Sequence, residues 1–177
     1  MGENFLDSWQ NGDNMQTISE EIVEREWEKM ANLPLDDVPR VIQRMEKEQP
    51  MILAFLMAID DEVFNQDERG LLLHLGATVC EIMRQGEPRP KRVSEKRMDE
   101  FIERTDKMLE YFLEEAPENF EDSVRLIYQN HNQVNVLRYV VEALFELDDD
   151  EEDSEVRDEM KGLLFMHLKT VVEALDQ

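Results

Sequence analysis

The sequence predicts an all-α fold, a compact helical domain of about six to eight helices built from two similar halves. Three observations predict it. Apolar residues recur at helical spacing along most of the chain, and no alternating β-branched run is bounded by a tight turn. Six Gly and six Pro among 177 residues leave room for long uninterrupted helices. The third observation is an internal likeness. Gly70-Leu71-Leu72-Leu73-His74-Leu75-Gly76-Ala77-Thr78-Val79-Cys80-Glu81 reads against Gly162-Leu163-Leu164-Phe165-Met166-His167-Leu168-Lys169-Thr170-Val171-Val172-Glu173. Upstream, Gln49-Pro50-Met51-Ile52-Leu53 reads against Gln133-Val134-Asn135-Val136-Leu137. The offset is 84 residues in the upstream block and 92 in the other, so eight residues are inserted between them, within the acidic stretch 147–155. Such a pattern fits an internal duplication whose halves pack about a pseudo-two-fold axis.

Residues 1–16 are polar and read as an N-terminal arm, with Phe5, Leu6 and Trp9 on one face if it turns helical. The first helical repeat spans 17–86. Thr17 and Glu20 have capping-box spacing, and Ile22, Val23, Trp27 and Met30 form the stripe that follows. Asp37 is a plausible N-cap for a short helix carrying Val41, Ile42 and Met45. Pro50 suits the first turn of a new helix running to about residue 62. Asn65 with Glu68 caps the next helix, which ends near Gly86. A basic connector spans 87–93; across 84–97 six bases stand against two acids. The second repeat, 94–177, opens near Ser94 with Phe101, Met108, Leu109 and Phe112, and Pro117 ends that helix. Val124, Leu126 and Ile127 mark a shorter helix, a polar bend runs from Tyr128 to Gln133, and the last helices cover roughly 133–147 and 155–176. Leu73 and Phe165 both point away from the main stripe of their helix, which predicts that these helices are covered on two sides.

A formal charge of −24 disfavours direct binding to nucleic acid or an anionic membrane and favours a basic protein partner. Cys80, the only cysteine, sits on an apolar stripe as a small buried hydrophobe. The apolar run from Met51 to Ile59 is too short to span a bilayer, and Met1 to Asp7 carry no signal-peptide pattern, so a cytoplasmic setting is expected.

The chemistry-bearing residues do not assemble into a motif. His167 lies within the stripe Leu163, Leu164, Leu168, Val171 and Leu175, where the first half has Leu75; it reads either as a ligand group or as a hydrogen-bonded core histidine. No Glu precedes His74, His131 or His167 by three residues, as a di-iron bundle requires. The acidic run 148–155 lacks the glycine and rhythm of a calcium loop. Glu81 and Glu173 recur with Thr78 and Thr170; solvated boundary positions and a carboxylate pair across the pseudo-axis are the competing assignments. The eleven methionines at helical spacing are core filler. The connector's bases are expected to make internal contacts with nearby acids. The expected function is therefore non-enzymatic, with no catalytic residue, no metal site and no cofactor: an interaction or regulatory module using helix grooves and acidic surface to bind a protein partner, with a homodimer as a further possibility. The alternatives are a small-molecule or metal-binding helical protein with a pocket between the repeats near His167, and an acidic decoy for a nucleic-acid-binding protein.

Overall fold

The computed structural model describes residues 15–114, 120–145 and 156–177, and their regular structure is entirely helical. The helices are α1 (Glu20–Ala31), α2 (Val38–Glu48), α3 (Pro50–Met57), α4 (Gln66–Met83), α5 (Glu95–Glu114), α6 (Phe120–Gln129), α7 (Val134–Phe145) and α8 (Asp158–Leu175), with a 3-10 turn at Leu35–Asp37 leading into α2. Most of the arm, Pro117 and the acidic stretch 148–155 lie outside the described residues.

Local chemistry explains most boundaries. Asn65 and Glu68 form the expected capping box: the Asn65 side chain accepts from the Glu68 N–H at 2.9 Å, and the Glu68 carboxylate accepts from the Asn65 N–H at 2.9 Å. At α1 the cap is Ser19 rather than Thr17, with Ser19 Oγ accepting from the Ile22 N–H. Thr17 instead donates its hydroxyl to the Asn132 carbonyl at 2.9 Å, a tertiary bond that pulls it away from the helix end. Asp37 makes no side-chain cap; it closes the 3-10 turn and pairs with Arg40. Helix α3 stops at Met57, short of the expected residue 62, because the Asp60 carbonyl gathers the N–H groups of Val63 and Phe64 into a turn.

Helices α4 and α8 form the centre. Every residue of α4 from Leu75 to Met83 is buried, and so is every residue of α8 from Leu168 to Leu175. Phe165 is fully buried and Leu73 half-buried, so the back of each helix is covered as the off-stripe positions predict. Gly76 matters here: a Cβ at that position would collide with Leu56 of α3, so glycine sets how closely α3 and α4 approach. Gly70, which matches Gly162 in sequence, has open space around it and no such role. Two expected core residues are outside the core. Trp27 is 42% exposed and Leu126 65%. The buried arc of α1 is instead centred on Val23, Glu26 and Met30, which leaves Trp27 at its edge, tilted against Tyr139 of α7.

The packing of the first four helices and of the last four follows one scheme. Helix α1 packs on α4 as α5 packs on α8; α2 meets α3 and α4 as α6 meets α7 and α8; α3 meets α4 as α7 meets α8. Besides the central pair α4 and α8, three contacts cross over: α1 with α7, α3 with α5, and α4 with α7, the last of which breaks the match between the two sets. Two buried glutamines repeat the scheme in atomic detail. Gln49 accepts from the Val93 N–H at 2.9 Å and donates to the Lys91 carbonyl at 2.9 Å. Gln133 accepts from the Ile18 N–H at 3.0 Å and donates to the Gln16 carbonyl at 3.1 Å. Each glutamine thus holds the extended backbone just before the helix cap, Ser94 or Ser19, that opens the other set of four.

Candidate functional site

Helices α4 and α8 run side by side in the same direction. At one end, the Arg157 backbone N–H and guanidinium both bond the buried Glu68 carboxylate at the start of α4. At the other, Leu175 shares a cleft with Ala77 and Cys80. Eighteen residues at 1.5 Å each separate the two ends by about 27 Å.

Charge is sorted along this axis. Around the N-terminal ends stand the exposed Asp60, Asp61, Glu62, Asp67, Asp158 and Glu159, together with Met57 (66% exposed) and Val63 (41%). Around the C-terminal ends stand Arg44, Lys47, Arg84, Arg89, Arg92 and Arg97. Most of these charges face the helix terminus whose partial charge they complement, although Arg157 and Lys161 stand at the N-terminal end and Glu81 and Glu173 at the C-terminal end. Arg97, for example, donates to the Ala174 carbonyl at 3.0 Å, one of the last of α8.

The C-terminal end contains a cleft of about 270 Å³ between α2, α4 and the connector. Its floor is apolar, with Met45, Ala77, Cys80 and Leu175, and its polar lining holds five cations and two carboxylates. Glu81 accepts from Arg44 at 2.8 Å, and Glu48 accepts from Arg84 at 2.7 Å. The ion pairs described in the cleft leave out Lys47, Arg89 and Arg92; Arg92 donates to the Lys47 carbonyl. Of the bases across 84–97, Arg84 meets acids as expected, whereas Arg92 and Arg97 donate to backbone carbonyls instead. Burial pushes the Cys80 thiol up to about 12, with Glu81 and Glu48 adding to the effect, so it is no nucleophile.

The corresponding corner of the last four helices is built differently. Asn132 and Gln133 donate to Asp176 at 2.9 Å, Lys169 pairs with Glu173, and Thr17 and Met15 pack over them. His131 Nε2 stands 3.9 Å from Glu173, and burial with the nearby Lys169 lowers its pKa to about 4.

The structure scatters the other sequence candidates. His167 bonds the Leu163 carbonyl through Nδ1 at 2.8 Å, stacks on Phe55 and meets the edge of Phe64. It is a hydrogen-bonded, aromatic-packed histidine whose pKa burial lowers, and it does not line the cleft. His74 is exposed on α4. Glu81 and Glu173 are buried, not solvated as boundary residues, and each is tied to its own cations rather than to the other. Thr78 and Thr170 donate to carbonyls one turn back, and Thr170 also meets Thr105 of α5 in a buried hydroxyl pair. Among the described residues no His, Cys, Asp or Glu cluster is suited to a metal ion, and no helix is long and apolar enough to cross a membrane. Sequence reasoning missed Arg44 and Lys47; their signal is the spacing Arg40, Arg44, Lys47, which lays a basic stripe along α2. Comparison of the chain with known protein families, with curated proteins and with solved structures finds no match.

Proposed function

We propose that this protein is a non-enzymatic interaction module that arose by duplication of a four-helix unit, and that its acidic end receives a basic, amphipathic segment of a protein partner. The observation that carries the binding role is the corner at residues 57–67, where exposed Met57 and Val63 stand among Asp60, Asp61, Glu62 and Asp67. Exposed apolar side chains among these acids, which outnumber the neighbouring Arg69 and Arg157, suit a partner that presents a hydrophobic face flanked by Lys and Arg. The matched helix packing and the crossed glutamines support the duplication and its pseudo-two-fold arrangement. The bounds 17–86 and 94–177 for the two repeats, with 87–93 as connector, agree with the caps at Ser19 and Ser94. A cytoplasmic setting suits a chain whose single cysteine is a buried thiol. A basic nucleic-acid-binding protein is one class of partner this end would take, which makes the decoy role a special case of the same surface.

Affinity capture from lysate with the wild-type chain and with Met57→Ser/Asp60→Asn/Asp61→Asn/Glu62→Gln tests the assignment. A partner that is retained by the wild type, released by salt and lost from the variant supports it, provided that the purified partner binds in the same way. Identical recovery on both chains overturns it.

A further inference from the structure

The cleft at the other end of α4 and α8 has a charge surplus that the fold does not need. Five of the nineteen Lys and Arg residues line it, in a chain with forty-three acids. The two carboxylates within it are taken up by Arg44 and Arg84. Lys47, Arg89 and Arg92 then stand around one opening without a carboxylate of their own among the described ion pairs. The corner around Asp176 shows that the same backbone arrangement can be completed otherwise. There the residue before the clamping glutamine is Asn132 instead of Glu48, and the residue capping the central helix is Asp176 instead of Arg84. Thr17 and Met15 close that corner, whereas the first one stays open.

We propose that the cleft between α2, α4 and the connector binds a small organic phosphate monoester, its phosphate held by Lys47, Arg89 and Arg92 and its apolar body on the floor of Met45, Ala77, Cys80 and Leu175. The charge match selects the headgroup. A phosphate monoester carries close to two negative charges and three acceptor oxygens, set against three cations of which Arg92 spends one N–H on the Lys47 carbonyl; a carboxylate with one charge leaves most of the surplus in place. The size selects a small molecule, because about 270 Å³ lies at the lower end of ligand pockets. The whole-chain charge of −24 disfavours an extended polyanion such as RNA, which would run out of the cleft along acidic surface. This site is independent of the acidic end and stands whether or not that end binds a protein.

Calorimetric titration of the full chain with phenyl phosphate at low ionic strength tests the proposal. One saturable site is expected, weakened about tenfold or more by Arg89→Gln/Arg92→Gln and by Lys47→Gln, and unaffected by Lys29→Gln on α1. Melting curves verify that each variant is folded, and Lys47→Gln keeps the backbone carbonyl that Arg92 uses. No saturable binding up to about 10 mM, or equal binding by the wild type and both cleft variants, overturns the site. Inorganic phosphate binding as tightly as phenyl phosphate overturns the apolar contact, and benzoate binding as tightly overturns the choice of phosphate.

Discussion

The corner at Arg84 and the corner at Asp176 are built with opposite polarity. In the first, the helix-capping residue donates and Glu48 accepts; in the second, the helix-capping residue accepts and Asn132 donates. The second corner is compact, with Gln133 fully buried and Asp176 receiving bonds from two side-chain amides. The first is looser and holds Lys47, Arg89 and Arg92, which join none of the ion pairs among the described residues. Closing one corner and leaving the other open separates stability from binding: the second is expected to carry more of the folding free energy, the first more of any ligand chemistry.

Substitutions at the two glutamines give the sharpest contrast. Gln133→Leu strands the buried Ile18 N–H and removes a donor to Asp176, and is expected to lower stability by about 3 kcal/mol in denaturant unfolding. Gln49→Leu strands the Val93 N–H at the open corner and is expected to cost about 2 kcal/mol. Equal losses would erase the distinction between the corners.

Two acid-range titrations sharpen it further. The Arg157 guanidinium holds the Glu68 carboxyl down at about 2, against an ordinary value of 4.5. Its stabilising contribution is therefore complete above pH 4.5 and is lost as the pH falls towards 2. Glu68→Gln is expected to flatten that part of the stability profile and to cost about 3 kcal/mol at pH 7. His131 is the reverse case in charge, because its neutral form is the one the fold accepts. With a pKa lowered from 6.5 to about 4, its contribution is present above pH 6.5 and lost as the pH falls towards 4. His131→Asn should remove the slope in that window, and a persistent slope would place the titration elsewhere. The smallest effect is expected at Arg92→Gln, within about 0.5 kcal/mol of the wild type by thermal melting, since an exposed side chain with one hydrogen bond holds little together.

Much of this architecture was legible in the sequence because local patterns and tertiary contacts agree. The Asn65/Glu68 capping box, the proline-started α3 and the fully apolar stripes of α4 and α8 each follow from a few adjacent residues. The misreadings arose where a distant partner decided the outcome. Thr17 and Ser19 both suit a cap, and Asn132, 115 residues away, claims the former. Trp27 reads as part of the apolar stripe until the seating of α1 buries Glu26 and leaves Trp27 at the edge. Glu81 resembles a boundary residue because its ion-pair partner Arg44 comes from another helix, 37 residues away. The cleft escaped notice for a similar reason: its cations come from α2, the end of α4 and the connector, and only the fold brings them together.

The crossed glutamines also bear on how the chain reaches this state. Since each set of four helices holds the lead-in strand of the other, a chain cut between residues 86 and 87 yields two pieces that both lack a partner for one polar clamp. Neither piece has a complete entry to its own first helix. In a ribosome-bound chain the clamp on the segment before α1 therefore closes only after Gln133 has emerged.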